Sequence, residues 1–112
     1  MSGIAAGRLR HWVQIEQFIE AVDSAGDRVR YWATYAERWA AIEPLSGREL
    51  IAAQQAQSEV SVRIVIRHTP GVTAAMRVVY RGQPYNIQAV MTDKDSGIDY
   101  QTLLCSLGTN DG

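Results

Sequence analysis

His11, His68, Cys105 and the acidic trio Asp93, Asp95 and Asp99 are the residues from which a reaction or a metal site would have to be built. Their spacing builds neither. The histidines belong to no His-x3-His or Cys-x2-Cys arrangement, the spacings that bring two metal ligands together locally. His11 alternates within an extended run and His68 precedes a turn, so both read as structural or surface residues. Asp93 and Asp95 stand two apart in a turn, with Asp99 beyond. A calcium loop also needs a glycine at its sharp bend and a terminal bidentate glutamate, and this segment has neither in place. Cys105 is the only cysteine, which excludes an intramolecular disulfide. It lies in the apolar run Leu103-Leu104-Cys105 and reads as a small buried hydrophobe. No Gly-x-Ser-x-Gly, Walker or dinucleotide motif is present. Catalysis requires a positioned acid, base or nucleophile. The expectation is therefore no catalytic residue, no metal, no cofactor and no enzyme.

Arginine is the more informative residue type. Ten of the 11 basic residues are arginine, with Lys94 the exception. Guanidinium suits bidentate contacts to carboxylate and phosphate, and interfaces in general. Arg63 and Arg67 share one face of an extended run, and Arg77 and Arg81 share one face of another. If those two runs pair, the four side chains form a stripe that contacts phosphate or another subunit. Otherwise they are a solvated face with acidic neighbours. Three tryptophans are many for so short a chain. Trp12 falls on the face opposite Val13 and Ile15, where it becomes a candidate interface anchor, since aromatic residues concentrate at protein interfaces.

The elements that position these residues are mostly extended. Apolar residues alternate with polar ones from Leu9 to Phe18, with Leu9, His11, Val13 and Ile15 on one face. Ala21 to Asp27 reads as a turn, because Asp23-Ser24-Ala25-Gly26-Asp27 is dense in turn formers. Arg28 to Ala33 and Tyr35 to Glu43 read as two further strands. Glu59 to Arg67 is the clearest strand, with Val60, Val62, Ile64 and Ile66 on one side and Ser61, Arg63, Val65 and Arg67 on the other. Met76 to Tyr80, Tyr85 to Met91 and Ile98 to Leu107 complete the set. Turns fall at Arg81-Gly82-Gln83 and Asp93-Lys94-Asp95-Ser96-Gly97.

One helix interrupts the strands, from a Ser46 cap to about Gln57. Ser46-Gly47-Arg48-Glu49 fits a capping box, and Leu45 and Leu50 stand at hydrophobic-staple spacing around it. Glu49 suits the positive end of the helix dipole. Past Ile51 the helix carries no large apolar side chain, and isolated helices this short are marginal in water. It is expected to be loosely held in one chain, or held by another. Leu45, Ser46, Arg48, Glu49, Leu50 and Gln54 are therefore the candidate contact residues, with Trp12 beside them.

Length and composition bound the rest. The 112 residues make one domain, of about 13 Å radius of gyration and too small to enclose a wide channel. Residues 1–7 and 108–112 are expected to be flexible ends. Apolar residues are 46% of the total, in the globular range. The formal charge of −1 argues against a dedicated nucleic-acid binder. No apolar run suggests a signal peptide or a membrane span, so a soluble chain from a reducing compartment is expected. The fold class that results is mainly β: a small antiparallel barrel or sandwich of six or seven strands, with one short α-helix inserted between the middle strands.

Several segments together resemble a known family. Gly7-Arg8-Leu9-Arg10-His11-Trp12-Val13 is similar to the Gly-x-Leu-Arg-His-x-Val opening of phage head–tail joining proteins, also called head closure or head completion proteins. Trp39-Ala40-Ala41-Ile42-Glu43-Pro44-Leu45-Ser46-Gly47-Arg48-Glu49 resembles that family's Trp-Ala-x-Ile-x-Pro-x-Ser-Gly-x-Glu signature. Arg67-His68-Thr69-Pro70-Gly71-Val72, Met76-Arg77-Val78, Tyr85-Asn86-Ile87 and the closing Leu103-Leu104-Cys105 follow in its order. The resemblance implies a virion protein assembled in the bacterial cytoplasm. It implies a β-barrel subunit of a ring below the portal and its adaptor, one that receives the tail and its completion protein. It also implies that the segment from Pro44 to Ser58 helps close the channel over packaged double-stranded DNA. The rival reading is a small nucleic-acid-binding barrel, which would need aromatics interleaved with basic residues on one exposed face.

Overall fold

The computed structural model describes residues 8–92 and 99–108. The ends at 1–7 and 109–112 and the turn at Asp93–Gly97 lie outside them. In chain order the elements are β1 (His11–Val22), β2 (Arg28–Pro44), α1 (Gly47–Gln55), β3 (Val62–Arg67), β4 (Arg77–Tyr80), β5 (Gln83–Thr92) and β6 (Tyr100–Leu107). The strands close into a barrel in the order β1-β2-β3-β6-β5-β4. Every pairing is antiparallel. Of the two architectures expected, the barrel is the one formed, and the helix stands where expected, between β2 and β3.

Alternation drives the closure. Val13 and Ile15 from β1, Ile64 and Ile66 from β3, Val78 from β4 and Leu103 from β6 are wholly buried in one core. Their neighbours in sequence point away, as the two-residue repeat of a strand requires. Among the described residues, the side chains of this core fill the interior of so small a barrel and leave no lumen. Cys105 belongs to this core, and burial pushes its thiol up to about 12, which keeps it protonated and unreactive.

Turn chemistry sets the register at two of the hairpins, β1–β2 and β4–β5. Asp23 Oδ1 accepts hydrogen bonds from the amides of Ala25 and Asp27, at 3.0 and 2.9 Å, so one side chain ties off the β1–β2 turn. Arg81 and Gly82 connect β4 to β5 with φ of 51° and 80°. Positive φ at both central residues is the type I′ turn, whose twist matches that of the flanking strands.

β1 runs on past Phe18 to Val22, through the first two residues of the expected turn, and two larger features also depart from expectation. The segments Arg28–Ala33 and Tyr35–Glu43 are one strand of 17 residues, β2. Thr34 does not end it. A register shift between Ile15 and Glu16 leaves Tyr35 unpaired, as a bulge that bends the strand without breaking it. The Tyr35 hydroxyl donates to the Pro70 carbonyl at 2.7 Å, over Gly71 at φ 88°. A Cβ at Gly71 would collide with that hydroxyl, so glycine is required there for space as well as for backbone conformation.

The second departure is shape. The radius of gyration is 15.3 Å, above the compact expectation, and the extents are 54 × 31 × 23 Å. β4 pairs with β1 only over Gln14–Glu16, and β3 pairs with β2 only over Ala40–Pro44. The rest of the β1–β2 ladder therefore projects beyond the barrel as a two-stranded ribbon. α1 leaves from the other end of β2, so ribbon and helix extend from opposite ends of the molecule.

Candidate functional site

The helical arm is residues 45–61, an excursion between two strands that resume pairing on either side of it. Pro44 pairs with Val62, and the Leu45 amide donates to the Ser61 carbonyl at 3.1 Å, closing the base of the arm. The capping box forms in full. Glu49 N donates to Ser46 Oγ at 3.2 Å and Ser46 N donates to Glu49 Oε1 at 3.0 Å. The other end is a Schellman motif. Ser58 N donates to the Ala53 carbonyl and Gln57 N to that of Gln54, with Gln57 held at φ 59°. Glycine is the usual residue there, so glutamine carries a backbone cost in order to stop the helix.

Between these caps nothing is packed. No residue of α1 is buried. Leu50 is 36% and Ile51 58% exposed, and Arg48 and Gln54 are exposed with them. The arm's main tie to the barrel is polar. Arg63 of β3 grips Glu49 with both terminal nitrogens, at 2.7 and 3.2 Å, while its Nε lies 3.8 Å from Glu43. Arg8 also pairs with Glu43, so the chain Arg8, Glu43, Arg63, Glu49 runs from the start of the described chain to the helix.

These bonds pull the Glu49 carboxyl from 4.5 down to about 2, first through the Arg63 guanidinium and then through the Ser46 amide and hydroxyl. Arg63 is raised in return, chiefly by its bond to Glu49. A carboxylate depressed in the docked arm holds the arm most firmly above its free value. The tie is complete at neutral pH, begins to weaken below about 4.5 and is lost as pH falls through about 2. Following the Glu49 side-chain resonance against pH checks this. A midpoint near 4.5 would show that the tie does not form.

The arginine stripe is not built. β3 and β4 are not neighbours; they lie across the ring from one another, separated by β2 and β1 on one side and β6 and β5 on the other. The face-sharing within each strand could be read locally, but strand pairing follows from closure of the whole ring. Arg63 is engaged with Glu49. Arg77 donates to Glu16 at 2.9 Å and lies 4.2 Å from the centre of the Trp32 ring. Arg67 stacks on Tyr100 at 5.5 Å and Arg81 on Tyr80 at 5.3 Å.

Trp12 does stand on the outer face, 43% exposed, opposite Val13 and Ile15. Its cross-strand partner Trp39, 54% exposed, meets it edge to face at 5.1 Å. With Leu9, Glu37, Arg38 and Arg67 the two rings line a shallow depression of about 160 Å³. Reading the sequence missed Trp39 and Glu43 as members of these surfaces, because only the β1–β2 and β2–β3 registers bring them to Trp12 and Arg63. His11 Nδ1 lies 2.9 Å from the Tyr80 hydroxyl, which links β1 to β4. Among the described residues no three His, Cys, Asp or Glu side chains gather as metal ligands.

A family model described as phage head completion protein matches residues 4–108. The chain belongs to that family. As a phage head completion protein it is a structural component of the virion with a part in head–tail joining, in a family of particle components rather than of enzymes. Two solved structures share the fold of this head completion protein. Protein SF1141 from Shigella flexneri 2a, solved in solution, is 24% identical, covers 96% of this chain and 100% of its own, and superposes with a TM-score of 0.73. A chain from the virion of a native gene transfer agent particle is 19% identical over 86% of this chain and 91% of its own, with a TM-score of 0.54. No curated protein matches the chain. Among the described residues of the head completion protein no helix is long and apolar enough to cross a membrane.

Proposed function

We propose that this head completion protein is one subunit of a ring that sits below the portal and its adaptor, receives the tail with its completion protein, and helps close the channel over packaged double-stranded DNA. The observation that carries this reading is the arm. Nature has capped α1 at both ends and tied it through one ion pair, yet left every residue of it unburied. A helix of this length is not stable on propensity alone. Its apolar pair Leu50 and Ile51 fits a surface on a neighbouring copy or an adjoining particle component. Leu45, Ser46 and Glu49 hold the arm's shape for that encounter, while Arg48 and Gln54 are exposed for polar contacts. Trp12, with Trp39, supplies a second contact surface of the aromatic kind that interfaces favour.

The barrel interior supports the same reading, because a subunit without a lumen lines a DNA channel only from outside, as one of several copies. Arg67 and Arg81 stay candidates for phosphate or subunit contact. Arg63 and Arg77 are already neutralised by Glu49 and Glu16. That neutralisation, and the separation of β3 from β4, weigh against the rival reading of a dedicated nucleic-acid-binding barrel. Amide hydrogen exchange over Leu45–Gln57, compared between the free chain and assembled particles, tests the role of the arm. Fast exchange in the free chain and strong protection in the particle is expected. Equal, strong protection in both states would count against it.

A further inference from the structure

We infer that the projecting β1–β2 ribbon is a strand-pairing element whose occupant is a second copy of this chain: the β1 edge of one copy, residues 17–22, pairs antiparallel with the β2 edge of the next, residues 28–34. The inference rests on the ring reading and adds the surface that would join the copies.

The barrel closes its own ladder, and closure removes sheet edges. Beyond Glu16 and before Ala40 the described residues of β1 and β2 pair with each other and with no third strand. Each side of the ribbon is therefore an open edge. Edges left open in solution are usually blunted by lysine or proline, or are kept very short. Neither 17–22 nor 28–34 contains lysine or proline. Phe18, Val22 and Tyr31 are exposed along the ribbon at 38%, 66% and 50%. A two-stranded hairpin standing alone is marginally stable at best.

Charge selects the occupant. The only charge in 17–22 is Glu20, and the only charges in 28–34 are Arg28 and Arg30. One edge is thus acidic and the other basic. All three side chains fall on the outer face of the ribbon with Phe18 and Trp32, which meet edge to face at 5.2 Å. A two-fold contact would set an edge against its like, acid on acid or base on base. Setting β1 of one copy against β2 of the next joins unlike charges. It also keeps neighbouring strands antiparallel and continues the outer face from copy to copy. Such a head-to-tail contact is heterologous, so it propagates from copy to copy and forms a ring where its rotation closes. Within one chain Glu20 and Arg30 are only a loose pair, 3.8 Å apart and more than half exposed, free to be shared with a neighbour.

Charge reversal in trans tests this. Glu20→Arg and Arg30→Glu each break the pair inside their own ribbon, and mixing the two proteins cannot repair that. Mixing does restore an unlike contact at every joint between alternating copies. Sedimentation of the full-length chain from micromolar to about 1 mM is expected to show self-association, a range matched to weak edge contacts. Each single variant should weaken it about tenfold, since like charges placed side by side oppose association. The equimolar mixture should recover it, and circular dichroism should show both variants folded. A wild-type chain that stays monomeric throughout, or a mixture no better than its parts, overturns the inference. Association that neither reversal weakens overturns the ribbon contact and leaves the ring to another surface. The ring itself is decided separately, by the number of copies per particle.

Discussion

Replacing Ile64 by alanine is expected to lower the stability of the chain by about 2–5 kcal/mol, the range for removing a large aliphatic side chain from a packed core. Ile64 is wholly buried and lies between Ile42 of β2 and Leu103 of β6 in the ladder. Both neighbouring strands therefore pack on it, and the narrow barrel offers no second layer to collapse into the space. A domain this size has roughly 5–15 kcal/mol in total. The change should move the urea midpoint down by at least about 1 M, given the usual dependence on denaturant. Leu50→Ala, on the exposed arm, should stay within about 0.5 kcal/mol, as surface substitutions do. Urea unfolding of both variants beside the parent checks the contrast. Similar losses at the two positions would mean that Leu50 is packed after all.

The contrast shows which parts of the molecule could be read from the residues in order. Alternation identified the buried faces of β1 and β3, because the two-residue period is local and survives whatever the strand pairs with. The capping box was legible for the same reason, since Ser46 and Glu49 satisfy each other three residues apart. What lay beyond local reading was partner choice. Arg63 and Arg77 each sit on the outer face of their strands, yet ring closure places β3 and β4 on opposite sides. Tyr35 was a similar case. A bulge lets β2 pass through the segment around Thr34, and the bulge is held by a contact to Pro70, far away in sequence. The projecting ribbon was hidden too, because nothing within 17–34 states where the neighbouring strands β3 and β4 stop.

The arm and the ribbon share a logic that the core does not. Both are well-formed locally, through caps in one and a side-chain-tied turn in the other, and neither buries a residue in the core. Local order without burial costs stability in the isolated chain, because backbone entropy is lost and little apolar area is gained. The two elements extend from opposite ends of β2. Each therefore presents a surface of its own, the ribbon to the copy proposed to pair with it and the arm to the component proposed to cover it.

Excising the arm separates its folding role from its role in the particle. Replacing residues 46–58 by a short Gly/Ser linker keeps the Pro44–Val62 pairing and the bond from Leu45 to Ser61 at the arm's base. The loss to folding should be no more than about 1 kcal/mol, because an exposed ion pair contributes roughly 0–1 kcal/mol and no helix residue is buried. Shortening the connection returns a few tenths through loop closure, since that cost grows only with the logarithm of length. The barrel should therefore unfold at nearly its original denaturant concentration. Function should behave oppositely. Particles carrying the armless chain are expected to lose packaged DNA, and infectious yield should fall to that of a complete deletion, because the surface presented by Leu50, Ile51 and Gln54 is gone. Thermal or urea unfolding of the purified chain, beside a measurement of DNA retained in particles, reads the two effects independently. Full DNA retention by an armless but folded chain would remove the arm from channel closure. A collapse of folding itself would show that α1 belongs to the barrel and not to a neighbour.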